Sequence, residues 1–312
     1  MTGHAPVLVE EAVMALNIKP GGTYVDVTYG RGGHSRAIAA RLSTGGRLIA
    51  MDRDPAAVDH GRRTPPAGVR FDIVQAAFSD LSRVCQGLIP DQLVDGVLAD
   101  LGVSSPQLED GARGFAFNRE GPLDMRMDPD TGTSAGEWIA GADQAELRWV
   151  IRHYGEEKHA ARIARAIIER REVSSITSTR ELAEIIARAV PEREPGRHPA
   201  TRTFQAIRMH VNDELEQLRA LLPQAVEALR AAGRLVIISF HSLEDRIVKR
   251  FMRDESRGDP FPADLPVTVG ELHPRLRIVS RPVRPSAAEL TANRRGRSAV
   301  MRVAERTEAA RA

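Results

Sequence analysis

The sequence predicts an α/β fold, a doubly wound and mostly parallel sheet that carries an all-helical insertion. Three observations lead there. Short apolar runs alternate with helical periodicity over residues 9–100, the rhythm stops over residues 101–210, and it returns with an apolar run at residues 234–240. Apolar strands separated by amphipathic helices build parallel sheets. The simplest account is one α/β domain, residues 1–103 and 211–312, interrupted by a helical segment at 104–210. A chain of 312 residues carries a prior of about two domains, and here the second interrupts the first.

Taken in order, residues 9–17 put Val9, Val13 and Leu16 on one helical face. Gly21-Gly22 breaks the pattern, and residues 23–28 (TYVDVT) read as a buried strand. Gly30, Gly32 and Gly33 follow at once, then a helix to about residue 42 with Ile38 and Leu42 one turn apart. Residues 47–51 (RLIAM) form a second strand ending at Asp52. Strands at 69–75 and 94–100 continue the alternation. Residues 101–134 are rich in Gly, Pro and Asp and read as ordered loop. Residues 143–171 and 179–190 are helical by period, residues 191–199 are a turn-rich connector, and 201–222 are helical again. Pro223 is expected to begin a further helix that Gly233 ends. The strand at 234–240 (RLVIISF) precedes a helix at 243–253, and the last strands lie near 275–280 and 299–304.

Composition excludes several classes. Hydrophobic residues make up 42% and charged residues 28% of the chain, ordinary values for a chain that buries a core. The 44 Lys+Arg against 42 Asp+Glu give a formal charge of only +2, which rules out a histone-like protein. Just three of the basic residues are Lys (Lys19, Lys158, Lys249), a bias that reads as genome composition. Position says more: residues 275–312 hold ten Arg against three Glu, a net of +7, so the rest of the chain stands at −5. A basic end on an acidic body points to a polyanionic partner. A single cysteine, Cys85, excludes an intramolecular disulfide and a cysteine-only metal cluster. No apolar run approaches the roughly 20 residues of a membrane span, and no signal pattern opens the chain. The expectation is a soluble, cytoplasmic protein without a membrane partner.

The segment from Asp26 through Gly30, Gly32, Gly33, His34 and Ser35 lies between a strand and a helix. Glycines there allow a sharp turn and a close ligand, and a helix N-terminus favours an anionic group. Asp52 ends the next strand, where a carboxylate can accept from both ribose hydroxyls. Dinucleotide-binding enzymes use the same devices, but their fingerprint needs Gly where this chain has Ser35. That departure counts against an NAD-dependent oxidoreductase. Asp26, at the end of its strand, suits a ligand with an ammonium group, and S-adenosylmethionine offers an ammonium, a carboxylate, a ribose and an adenine. Phe78 follows the third strand, where its ring suits either the adenine face or the core. Asp100 ends the fourth strand, at the edge where ligands of open α/β sheets bind.

Four blocks resemble a known family: Asp26 with Gly30-Arg-Gly-Gly-His-Ser35; Asp95-Gly with Asp100-Leu-Gly-Val-Ser-Ser-Pro-Gln107-Leu; Arg113-Gly-Phe-Ala-Phe117 with Gly121-Pro-Leu-Asp-Met-Arg-Met127; and Phe240-His-Ser-Leu-Glu-Asp-Arg-Ile-Val-Lys249. The segments at 4–8, 200–208 and 293–299 support them. Over essentially its whole length the chain resembles the MraW-type 16S rRNA cytosine-N4 methyltransferases. The resemblance implies a class I (Rossmann-like) methyltransferase fold whose insertion recognises substrate. It implies S-adenosylmethionine as donor and a decoding-centre cytidine of 16S rRNA, in the small ribosomal subunit, as acceptor. It maps cofactor contacts onto Gly32, Gly33, His34, Asp52, Phe78, Asp100 and Gln107. Ala116 stands where the family more often has Ser.

Residue chemistry bears on this separately. Cytosine C5 methylation needs a cysteine nucleophile, and Cys85 is expected on a surface helix away from the strand edges. An exocyclic amine needs orientation and a proton acceptor instead, with direct in-line displacement at the sulfonium methyl. The motif Asp-Leu-Gly-Val-Ser-Ser-Pro differs from the Asp/Asn/Ser-Pro-Pro-Tyr/Phe motif of many DNA amino-methyltransferases, so Asp100 is the candidate catalytic acceptor on position alone. His241, Glu244 and Asp245 read as pocket or packing residues. Three Arg within residues 293–297, with no adjacent aromatic, favour phosphate contact over base stacking. No metal site is expected. Two insertion helices suit either a homodimer surface or an RNA platform. A non-catalytic RNA-binding assembly factor is the remaining alternative, and an intact set of cofactor positions weighs against it.

Overall fold

The structure is a computed structural model that describes residues 6–191, 196, 198–258 and 272–308. The block at 4–8 and the connector at 191–199 lie partly outside the described residues. The chain divides into two compact units: Met1–Gly102 with Glu216–Ala312, and Val103–Leu215.

The first unit is built on a seven-stranded sheet. Its strands are β1 (Thr23–Asp26), β2 (Arg47–Asp52), β3 (Arg70–Gln75), β4 (Val94–Asp100), β5 (Leu229–Ser239), β6 (Leu276–Ile278) and β7 (Val300–Arg306). They lie in the order β3-β2-β1-β4-β5-β7-β6. The first five are parallel, and β7 runs antiparallel between β5 and β6. Chain direction across the sheet reverses between β1 and β4, so the ends of those two strands, Asp26 and Asp100, flank the crevice where ligands of such sheets bind.

Both faces of the sheet are covered, and alternation along each strand sorts its side chains between them. Val97, Ala99, Leu235 and Ile237 pack against Leu81 and Val84 of α4 (Leu81–Leu88), Leu218, Leu221 and Leu222 of α11 (Glu214–Ala228), and Val248 of α12 (Ser242–Arg257). Leu98, Val236 and Ile238 face the other way, against Ala12 and Leu16 of α1 (Val9–Leu16) and Ile38 of α2 (Gly33–Ala39). Helix α3 (Pro55–Arg63) starts with Asp54 as N-cap and Pro55 at its first position, the arrangement that fills one orphan donor and removes another.

Three expectations change here. Pro223 does not begin a helix; α11 runs through it. The break falls earlier, where α10 (Thr201–Val211) ends at Asn212 and Asp213 takes φ 51°. Burial of Leu221, Leu222, Ala225 and Val226 holds α11 together despite the missing N–H. Gly233 does not end that helix but lies inside β5, whose pairing with β4 is irregular between Val94 and Gly96. Cys85 is not on a surface helix face: it is buried in the sheet core, and burial pushes its thiol up to about 11.

The second unit is helical: α5 (Ser105–Glu109), α6 (Ala135–Gly141), α7 (Gln144–His153), α8 (Ala160–Val173), α9 (Thr179–Ala189) and α10. The stretch expected to be helical at 143–171 forms two helices, α7 and α8. Leu147, Ile151, Ile163, Ile167, Leu182, Ile186, Phe204 and Ile207 close its own core. The long segment between α5 and α6 is ordered by polar bonds. Arg113 donates to the carbonyls of Arg126 and Met127, and the buried Asn212 side chain binds Met127 N, Met125 O and Arg208 O.

Candidate functional site at the carboxyl edge of the sheet

The carboxyl ends of β1, β2 and β4 bring three acids to one edge. Asp26 is 1% exposed and spent on its own loop: Oδ1 accepts from Thr28 N at 3.1 Å and Oδ2 from the Ser35 hydroxyl at 2.6 Å. At that burial it is closed to a ligand's ammonium group, which corrects its reading as an ammonium ligand. It also explains Ser35, since a glycine there would leave a buried carboxylate oxygen without its donor. Burial raises the Asp26 carboxyl above its ordinary value, with Ser35 next in order pulling it down.

Asp52 takes one backbone N–H on each oxygen, Gly30 N on Oδ2 at 2.7 Å and Asp54 N on Oδ1 at 2.9 Å. Its side chain is therefore fixed in direction while each oxygen keeps a second lone pair. Burial pushes its carboxyl up to about 6, against the pull of the Asp54 and Gly30 amides. Asp100 is tied to β1 by its amide, which donates to Thr28 Oγ1 at 2.7 Å. Its Oδ1 is buried without a hydrogen-bond partner, and Oδ2 lies 3.6 Å from His34 Nδ1. Burial pushes this carboxyl up to about 6, with the His34 ring opposing and Asp26 and Glu244 adding to the rise.

His34 is buried, with Nε2 3.1 Å from the Val7 carbonyl. A carbonyl only accepts, so Nε2 carries the proton and Nδ1 faces Asp100. Gly32 has φ 69°, and a Cβ on it would stand 2.6 Å from the Tyr29 ring; one on Gly33 would collide with Pro6. Both glycines are thus required for the loop to pass between these rings. Phe78 opens a 3₁₀ turn directly after β3 and is partly buried against the sheet core. Gln107 belongs to the second unit, buried in a capping box in which its Oε1 accepts from Ser104 N at 2.9 Å.

The structure brings Gly32, Gly33, His34, Asp52 and Asp100 to one edge, with Phe78 following β3 on that side. His241 and Glu244 cap α12: His241 Nδ1 accepts from Glu244 N, Glu244 Oε2 accepts from Phe240 N at 2.9 Å, and the two side chains meet at 3.0 Å. Asp245 is held by both nitrogens of the Arg302 fork, at 2.7 and 2.9 Å. All three are structural. Ser239, the last residue of β5, was not singled out by its sequence; its hydroxyl is a second buried, unpartnered oxygen at this edge. Only its terminal place in an apolar strand could have flagged it.

An open α/β sheet with a glycine loop after β1, an acid at the end of β2 and an orphaned carboxylate at the end of β4 is the scaffold of a nucleotide-dependent transferase. The profile of the MraW methylase family matches residues 1–307. Ribosomal RNA small subunit methyltransferase H of Thiobacillus denitrificans is 58% identical over 304 residues, covering 97% of each chain. Proteins of the same name from Aromatoleum aromaticum and Nitrosococcus oceani are 56% and 52% identical, over 97% and 98% of each chain. The chain is a methyltransferase, with S-adenosylmethionine as its methyl donor. It belongs to the MraW methylase family. The edge fits that donor: the loop leaves no room for side chains at Gly32 and Gly33, and Asp52 and Asp100 hold acceptor sites that the protein leaves open.

Proposed function

We propose that this protein methylates the exocyclic N4 amine of a cytidine in the decoding centre of 16S rRNA, in the cytoplasm. The relatives' name supports small-subunit rRNA as the acceptor. One observation supports amine rather than ring-carbon chemistry. The buried Asp100 Oδ1 lacks a partner at the edge where the acceptor enters, whereas Cys85, the only thiol, is buried in the core.

S-adenosylmethionine, when bound, supplies an electrophilic methyl group on a sulfonium. Gly32 and Gly33 would leave room for it, Asp52 would accept from its ribose hydroxyls, and Phe78 would offer its ring to the adenine. The two oxygens of Asp100 sit in different settings. Oδ2 faces the His34 ring, 3.6 Å from its Nδ1. Oδ1 accepts a hydrogen bond from the amine, which turns the nitrogen lone pair out of conjugation with the ring, and then takes up the proton that the amine gives up. Residues 103–215 select the RNA.

Mass spectrometry of 16S rRNA from a deletion strain tests the reading. Loss of N4-methylcytidine at one site, restored by the wild-type gene and not by Asp100→Ala, is expected. Unchanged N4-methylcytidine in the deletion strain overturns it.

A further inference from the structure

The arginines of residues 275–308 fall into two groups. Arg275 is spent on Glu227 and Glu255, Arg277 on Glu305, Arg302 on Asp245, and Arg306 on the Arg275 carbonyl. Arg281, Arg284, Arg295 and Arg297 are exposed. Among the described residues, Arg281, Arg284 and Arg297 pair with no carboxylate.

The exposed group is gathered at one place. Arg295 and Arg297 stand on the 3₁₀ turn Arg294–Ser298, held by Asn293 Oδ1, which accepts from Arg295 N at 3.1 Å. Two residues after the turn, Val300 pairs with Ser239, the last residue of β5. The turn therefore stands beyond the carboxyl ends of the parallel strands, on the edge that carries Asp52 and Asp100. Val7 links it to the glycine loop. The Val7 carbonyl holds His34 Nε2, and its side chain lies 3.4 Å from where a Cβ on Gly296 would be. A further bond, Leu8 N to Glu289 Oε1 at 2.7 Å, fixes the same junction. Pro285 packs on Gly296, and Val283 pairs with Met301, which brings Arg281 and Arg284 to the same corner.

We infer that Arg295 and Arg297, with Arg281 and Arg284 beside them, form a phosphate-binding rim that seats the RNA backbone next to the reacting nucleotide. The inference rests on the reading of the acceptor as RNA. Guanidinium forks match phosphate oxygens and stay charged at every working pH. Residues 275–312 contain no aromatic side chain, so the rim offers nothing for a base to stack on. It positions the strand and leaves base choice to other surfaces.

The test compares the wild type with the R295A/R297A and R295K/R297K double variants of the full chain. Calorimetry with S-adenosylmethionine reports whether the donor site is intact, and methylation of purified small subunits gives kcat and KM. Filter binding to 16S rRNA across a salt series needs no turnover, so it reads the rim even where the N4 reading fails. For R295A/R297A the expected results are unchanged donor affinity, a KM raised about tenfold, and a salt dependence of binding shallower by about 1.5–2 in log–log slope. The lysine pair should keep most of that slope. An unchanged salt slope with unchanged KM overturns the rim. So does loss of donor affinity in the alanine pair, which would assign these arginines to the fold.

Discussion

Burial holds Asp52 and Asp100 at about 6 where free aspartate ionises near 3.8. Each carboxyl therefore binds its proton more tightly in the folded protein than in the unfolded chain. The unliganded protein loses stability as the pH rises from about 4 through about 6, and the loss levels off above that. Replacing Asp100 with Asn removes the buried charge. Thermal melts of the unliganded D100N variant at pH 7.5 should show a gain of about 1–2 kcal/mol, with little gain at pH 4.5, while S-adenosylmethionine affinity falls. In the wild type, that affinity should itself weaken as the pH drops below about 6, because the protonated acids lose their acceptor strength; a flat profile from pH 7.5 to 5 would contradict it. The residue types at this edge were legible because acids at strand ends and glycines between strand and helix are local patterns. Which acid faces a ligand was not. Asp26 and Asp100 look alike in the sequence, and only the Thr28 amide and the Ser35 hydroxyl, brought in by the loop, separate the satisfied carboxylate from the unsatisfied one.

At the scale of elements, the strands were legible and the helix boundaries were not. Strands β1 to β4, four to seven residues long, announce themselves by short apolar stretches set between glycine-rich turns and helical periods. Helix breaks depend on side chains from elsewhere. The chain turns at Asn212, whose amide is consumed by Met125 and Met127, 87 and 85 residues away. Pro223, the residue that usually marks a break, is carried through by the core around it. Asn212 thus serves both the end of α10 and the loop before α6. Asn212→Ala should cost about 2–4 kcal/mol, since it strips partners from buried backbone groups. Limited proteolysis should then cut the segment near Met125 and Met127 first.

For the molecule as a whole, the described arginine side chains of residues 275–308 divide between holding the sheet and facing solvent. Arg302→Ala leaves Asp245 partly buried without its fork and should lower stability by about 2 kcal/mol, whereas Arg297→Ala should leave the melting temperature unchanged; equal shifts would refute the division. The charge count itself could not separate the two groups, because pairing is a property of register: Arg302 and Arg277 meet their acids only once β7 is in the sheet. That placement has a consequence for how the protein is made. β7 leaves the ribosome after both strands it lies between, β5 and β6. Until it arrives, β5 presents an open, apolar edge, the kind that pairs with other nascent chains. β7 closes that edge and, in the same event, carries the Arg294–Ser298 turn to the carboxyl edge of the sheet. Protection from aggregation and the placing of the arginine turn therefore come together.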